Sequence, residues 1–595
     1  MSGQLQRLYR DELAFLRLQG QSFAKRHPQL ARFLGESSSD PDVERLLEGF
    51  AFLSARIREK VEDDFPELTF SLLNLLWPNY LRPVPSIAMI RFDPIEQAIT
   101  QRQQIPHNTE LLAQPVDEVI CPFYTTADLY IYPLRITQVD EQRSREKSTL
   151  TLQLNTLAEQ PIRSIECNEL RFFLSGEDYN ALTLYLWIFR YLDHIQITPI
   201  RSDPADEAHS GYRLAAADLG RIGFTPEEAM LPYPKNVFDG YRIIQEFLAF
   251  PRRFYGFQLN NLARYWPQDD TAAVHITLHF QRALPDDIKI RQQDIALYCI
   301  PAINLFDYSA EPVILSGERT QYPLVPSDNQ EALYEIFEVT GVISTEKGDE
   351  KKKERVYPAF ESFQHEIERK QHRTRLYYRV AVASNVTDDS LEHYVSFMRG
   401  DEAAYMGRDE TLSINLRCTN GALPEALSVG DINVPSQLTP SFVSFSNITT
   451  PTATCRPVLD SSLHWTLISN LALNYLSLLK PEPLKNILRI YDFAAFHDIQ
   501  IERRSQKRLA GILSIDTQPV DRLIRGFPVR GLESTLTLDP EAFACEGDMY
   551  LFATVLSQFF TLYSSVNSFH LLKMHNQGNN EDYTWELMSG KQPVI

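Results

Sequence analysis

The apolar residues of this chain change period near residue 83, and that change bounds the folds open to it. Ahead of it, Leu5, Tyr9, Leu13, Leu16 and Phe23 recur at helical spacing and share one face. His27-Pro28 breaks the run. A second helix opens at Asp40-Pro41, where a carboxylate can cap free N–H groups and proline suits the first turn. Its apolar stripe is Val43, Leu46, Leu47, Phe50, Leu53, Ile57 and Val61. Glu44, Arg45, Glu48, Arg58, Glu59 and Glu62 occupy the other side. Arg58 and Glu62, one turn apart, contribute only about 0.3 kcal/mol. The stripe carries the signal, and something must cover it. Pro66 ends this helix or restarts it as a short third one, through Leu72, Leu73 and Leu76 to Trp77-Pro78.

From Pro83 the spacing turns strand-like. Ile87–Phe92, Val119–Thr125 and Tyr130–Val139 are β-branched and aromatic, with prolines between them. Thr149–Leu154 alternates as a half-buried strand should, and so do Val274, Ile276, Leu278 and Phe280. Ile195–Ile200, Leu376–Val382, Leu412–Leu416 and Ser534–Leu538 read as further strands. Phe569–Met574 and Tyr583–Met588 read as strands of the tail. Helices are predicted behind Asp178 (Ala181, Leu184, Tyr185, Ile188 and Leu192 on one side) and over Ile243–Leu248, stopped by Pro251. Others are predicted over Trp465–Leu479, from Pro483 to Tyr491, and over the very apolar Met549–Tyr563. Pro435–Pro457 reads as loop, and Thr345–Arg355 as a charged surface loop.

The predicted class is α+β: a helical N-terminal arm on a multi-domain, strand-rich body, with additional helices near the C-terminus. The expected regions are a bundle-forming arm (1–82), a first α+β region (83–235) and a central α+β region (236–345). A charged loop (346–356), a strand-rich region (357–462) and a C-terminal α+β region (463–595) follow.

The 595 residues are 44% hydrophobic and 11% aromatic, enough to bury large cores without disulfides or metals. The formal net charge of −20 argues against broad binding to nucleic acid or anionic lipid. Cys121, Cys167, Cys299, Cys418, Cys455 and Cys545 are widely spaced, so reduced core cysteines are expected. The first residues lack an apolar signal core, and no apolar stretch reaches the ~20 residues of a membrane-spanning helix. A cytoplasmic protein without membrane insertion is expected.

No phosphate-binding loop, dinucleotide fingerprint, nucleophile elbow or HExxH motif occurs. His365-Glu366 has an arginine at 369 where a zinc site needs histidine. His275 and His279 share a strand face but lie ~13 Å apart at ~3.3 Å per residue, too far for one metal. They are expected to face solvent. Asp269-Asp270, Asp286-Asp287 and Asp388-Asp389 read as solvated loops. Arg369, Lys370, Arg373 and Arg375, and likewise Arg503, Arg504, Lys507 and Arg508, read as salt-bridging surface. Asn385 and Asn447 sit in N-x-T triplets that a cytoplasmic chain does not use for glycosylation. No catalytic, cofactor-binding or metal-ligating residue is predicted, and no enzymatic activity.

Several blocks resemble the TssF (ImpG/VasA) family of type VI secretion baseplate proteins, in family order. They are Tyr9–Leu13, Phe23-Ala24, His27-Pro28, Asp40–Leu53 and Phe65–Leu68, then Phe238–Tyr241, Gln245–Phe247 and Phe250-Pro251. Ile303–Phe306, Gln321–Pro326, Leu467–Leu476, Gly531–Glu533, Val555–Phe560 and Ser565–Phe569 complete the set. Lys351–Lys353 looks like an insertion, and Phe543-Ala544 lacks the glycine expected after the phenylalanine. The resemblance implies a structural wedge component. Two copies would join one TssG, with TssE and TssK, around the VgrG spike and hub. That assembly would start growth of the Hcp tube and the sheath, and would be docked at the inner-membrane secretion complex. It implies contact with that membrane complex only through other subunits, and no nucleic acid. The arm stripes would then form an inter-subunit helix bundle, or alternatively pack on the chain's own body. The competing expectation is a spike- or effector-associated adaptor of the same machine.

Overall fold

The computed structural model describes residues 9–10, 13, 41–62, 72–74, 77–158, 160–200, 211–233, 240–267, 270–315, 319–327, 333–346, 353–360, 376–384, 390–399, 410–459, 479–524, 526–565 and 567–590. The chain divides into two compact units: Met1–Leu72 with Asp460–Ile468, and Leu73–Leu459 with Ser469–Ile595. In the first, α1 spans Pro41–Glu62 and opens on the proline that the sequence places there. Residues 9, 10 and 13 are also helical. The predicted helix over 465–479 lies outside the described residues, apart from Leu479.

The second unit is built mainly from antiparallel sheets. One runs in the order Val443–Asn447, Ile87–Pro94, Cys299–Ile303, Pro122–Thr125, Glu110–Leu112. A second runs Tyr212–Leu214, Leu192–Pro199, Ala273–Phe280, Ser148–Thr156, Leu134–Arg143. In it Ser148–Thr156 and Ala273–Phe280 alternate strictly between buried and half-buried residues, as their sequences demand. The Tyr130–Val139 run is split in two at Tyr132-Pro133, because proline cannot donate to a ladder. Pro435–Pro457, read as loop, contains the short edge strand Val443–Asn447.

Two further sheets face each other over one core. Glu410–Thr419 pairs with Phe306–Ser309, Val313–Leu315 and Glu335–Glu346, and the last continues to Lys353–Tyr357. Gln321–Leu324, Leu391–Arg399 and Leu376–Ser384 form the other layer. Leu315, Val342, Leu412, Ile414 and Leu416 from one layer meet Tyr322, Leu324, Val395 and Phe397 from the other. Of the charged loop expected over 346–356, Glu346 and Lys353–Val356 are strand, with Glu346 opposite Lys353 in register. The run Thr345–Arg355 carries no apolar residue to alternate with its charges, which is why the composition reads as loop.

The helices gather at one site in the second unit. α2 spans Asp178–Arg190 and α3 spans Gly240–Ala249. After them come α4, Pro481–Tyr491, α5, Phe493–His497, and α6, Ile499–Ala510. The last is α7, Glu546–Tyr563. Asp178 is the first helical residue of α2 rather than its cap, and Glu177 at the cap makes no side-chain capping bond. Every residue from Ala181 to Ile188 is buried, not one stripe, since α7 and the sheets cover α2 on several sides. Leu192 belongs to the strand that follows. The α7 helix is a crossover: Phe527–Leu538 enters it, and Phe569–Asn576 leaves it to pair in parallel with the first strand.

Candidate interaction surface and its buried supports

The helix α1 buries part of its apolar face and exposes the rest. Val43, Leu47 and Ala51, spaced by four, are half-buried, half-buried and fully buried. Leu46, Phe50 and Leu53, spaced by four and three, fall on the adjoining arc. They are 74%, 59% and 60% exposed. The single stripe read from the sequence is thus two parallel strips, one covered and one open. Contiguous large apolar side chains in water mark an interaction surface. Tyr9 and Leu13 are helical and half-buried. Ile57 and Val61 continue the helix, and Leu5, Leu16 and Phe23 lie outside the described residues.

Within the second unit, an aromatic cluster locks the start of the body to its helices. Trp77 meets Tyr233, Tyr241 and Tyr491 at ring separations of 5.2, 5.7 and 5.9 Å. Tyr241 in turn stacks on Tyr491 at 5.1 Å and meets Phe559 of α7 at 5.7 Å.

Beside it lies a buried charge network. Glu246 of α3 is fully buried between Arg242 and Arg253, which are 0% and 2% exposed. Glu246 Oε2 accepts from Arg242 Nη1 at 3.1 Å and from Arg253 Nη1. Its Oε1 accepts from the Met230 backbone N–H at 2.7 Å. Arg253 also donates to the Glu228 carbonyl, so the segment before α3 is tied to the helix. Burial lowers the Arg253 pKa while Glu246 opposes that shift. The helical period finds α3, but nothing in its pattern marks Glu246 and both arginines as interior.

Two asparagines act as full connectors. Asn304, at the step from Cys299–Ile303 to Phe306–Ser309, donates to the Pro122 carbonyl and to Asn420 Oδ1, both at 2.8 Å. Its own Oδ1 accepts from Thr419 Oγ1 at 2.8 Å and from Asn420 N–H at 2.7 Å. All four bonding positions of the amide are filled. Asn447 is buried likewise: it donates to the Ser428 and Thr449 carbonyls and accepts from Gly430 and Ile432 N–H. Its N-x-T triplet therefore serves packing.

The groups weighed for chemistry scatter. His279 stacks on His194 at 4.3 Å across the strand pair, so it is not simply solvent-facing. Burial and the neighbouring His194 lower its pKa. His275 is half-buried four residues away on the same strand. Asp270 pairs with Arg163, Asp286 lies 4.0 Å from Arg143, and Asp287 accepts from Tyr179 at 2.9 Å. Asp269, Asp388, Asp389, His365 and the cluster Arg369–Arg375 lie outside the described residues. In the second basic cluster, Arg508 is an internal partner of Asp548 at 3.1 Å and lies over Phe247 and Phe552. Arg503, Arg504 and Lys507 are exposed. The six cysteines are free and buried or half-buried. Desolvation pushes Cys121 up to about 11 and Cys418 and Cys455 to about 12, far from a neutral-pH nucleophile. A cleft of about 350 Å³ carries Glu169, Arg171 and Glu228. Arg171 pairs with Glu228 at 3.0 Å, and Glu169 accepts from Gln258 at 3.0 Å. Among the described residues no group of three or more His, Cys, Asp or Glu side chains could hold a metal, and no helix is long and apolar enough to cross a membrane.

A chain whose polar interior is spent on bracing, and whose open apolar strip lies on a helix, has the build of an assembly component. The family model described as "Type VI secretion system, TssF" matches residues 1–592. The chain belongs to the TssF family. It is 27% identical, over the full length of both chains, to "Type VI secretion system component TssF1" of Pseudomonas aeruginosa. It also resembles a chain of the solved TssK-TssF-TssG baseplate subcomplex of the type VI secretion system, with a TM-score of 0.76 and 27% identity. That match covers 93% of this chain and 99% of the other. A chain of a solved type VI baseplate complex shares the fold at a TM-score of 0.66 and 24% identity, covering 99% and 100%.

The TssF blocks named from the sequence coincide with the supports. Tyr241 and Glu246 sit in the middle block, Asn304 in the third, and Phe559 in the α7 block. Gly531 is where Phe527–Leu538 runs closest to Phe569: a Cβ there would lie 2.5 Å from the Phe569 carbonyl oxygen. Phe238, Asp239 and 467–476 lie outside the described residues.

Proposed function

We propose that this chain is a non-catalytic wedge subunit of a type VI secretion baseplate and that α1 joins it to its neighbours. The observation that carries the reading is the open strip Leu46–Phe50–Leu53 on a helix whose other apolar strip is already covered. In water such a strip is a cost, and another helix can remove it by packing side chains between those residues. The likeness to a chain of the TssK-TssF-TssG subcomplex supports TssG and TssK as the partners. Two copies per TssG, attachment of TssE, and placement around the VgrG spike and hub to start the Hcp tube and sheath belong to the same proposal. So does docking on the membrane complex through other subunits. The role is mechanical: interfaces that hold one arrangement before contraction and another after it.

The test is the triple variant Leu46→Asp, Phe50→Asp, Leu53→Asp, co-expressed with the TssG protein of the same gene cluster. The three positions are exposed, so the variant should keep the thermal midpoint of the parent and lose the TssG complex. A variant that retains the complex would remove α1 from the interface.

A further inference from the structure

The body carries a second open apolar feature, at the end of a long ribbon. Ile512–Ile524 and Phe527–Leu538 pair in register from Ile512↔Leu538 to Ile524↔Phe527, turning at Gly526. The inner part is flanked by Phe569–Asn576, whose pairing starts at Leu532↔His570. Beyond Gly531 the ribbon is two-stranded among the described residues. From Val520 to Ile524 it extends about 14 Å at ~3.4 Å per residue. A free two-stranded ribbon is marginal in water. Here its end is also apolar: Leu523 is 77% and Phe527 72% exposed.

Register separates these side chains. Leu523 lies opposite Pro528, on one face; Phe527 shares the other face with Val529, which lies opposite Arg522. Apolar groups on both faces suit a slot rather than a flat patch. The charge is as specific. Between Asp521 and Arg530 the chain carries Arg522, Arg525 and Arg530 against one aspartate, a basic tip on a chain of net charge −20. Arg522 is half exposed, 3.7 Å from Glu533, and Arg530 is exposed.

We propose that this hairpin tip docks into an apolar-floored slot rimmed by carboxylates on a different protein subunit. Charge complementarity selects the acidic rim. A two-fold contact with a second copy would bring the arginines of two tips together. A contact of the tip with some other surface of the same chain would propagate head to tail, as a ring or a filament of copies. The hairpin belongs to the second unit, so the inference goes beyond the role proposed for α1.

The test is photo-crosslinking in cells that assemble the secretion machine, with a benzoylphenylalanine at Phe527 of the full-length chain and a control at exposed Glu118. The expected result is a crosslink at 527, absent at 118, into another protein at a peptide of apolar residues flanked by Asp and Glu. The variant Arg530→Glu, at an exposed position, should abolish it while leaving the thermal midpoint unchanged. Crosslinks onto a second copy or lipid, or none above the control, would overturn the proposal. So would a crosslink that the charge reversal leaves intact.

Discussion

Gly547, in the first turn of α7, lies against the backbone of Leu182 in α2: a Cβ at 547 would sit 2.1 Å from the Leu182 carbonyl oxygen. The obstacle is backbone inside two packed helices, so it cannot rotate away. Gly547→Ala must push α7 off α2 and is expected to cost at least the 1–3 kcal/mol typical of overpacking, about 2 kcal/mol as a central figure. A lowered thermal midpoint checks it. An unchanged midpoint would mean that the two helices do not approach so closely.

Glu246 neutralises two buried guanidiniums. Glu246→Gln keeps the shape and removes the carboxylate that faces both Arg242 and Arg253. The expected loss is about 3–5 kcal/mol. Replacing all three by apolar residues of similar volume should cost less than the single change, because no buried guanidinium then remains. Comparing the denaturant midpoints of the two variants decides this.

Asn304 joins two sheets through four hydrogen bonds. Asn304→Leu fits the volume and satisfies none of them. Each buried group left unpaired costs about 1–3 kcal/mol. Loosening should be local, seen as faster hydrogen exchange at Asn420 and around Pro122 before the rest of the body responds.

Two interior histidines set an acid limit. Desolvation pushes His393 down to about 4 and His570 to about 3. An unfolded histidine protonates at about pH 6.5. Between these limits the unfolded chain binds more protons, so stability falls as pH drops below about 6.5 and is lost through the folded values. Above about pH 6.5 neither contributes a slope. Denaturant midpoints measured from pH 7.5 to 5 should fall, and His393→Gln should make the fall shallower.

The sequence was most legible where one face of an element meets the core. Ser148–Thr156 and Ala273–Phe280 alternate because each lies in a sheet with one face buried. It was least legible where burial is complete or absent. The α2 helix is covered all round, so it has no stripe to read. The outer half of the 512–538 ribbon is exposed on both faces, and only Ser534–Leu538, where the sheet is complete, alternated clearly enough to be read. The arm stripe was visible as a stripe, but periodicity places Val43 and Leu46 on one apolar face without telling which strip a neighbour covers. The charge network was hidden for another reason: Arg242, Glu246 and Arg253 are interior only because they find each other across a bend at Pro251.

A wedge role for this chain is decided by the mass of the complex that it forms when co-expressed and purified with the TssG protein of its own gene cluster. A stable assembly of two of these chains with one TssG is the expected result. A chain that stays monomeric and ignores TssG would contradict it, and would favour the adaptor role instead.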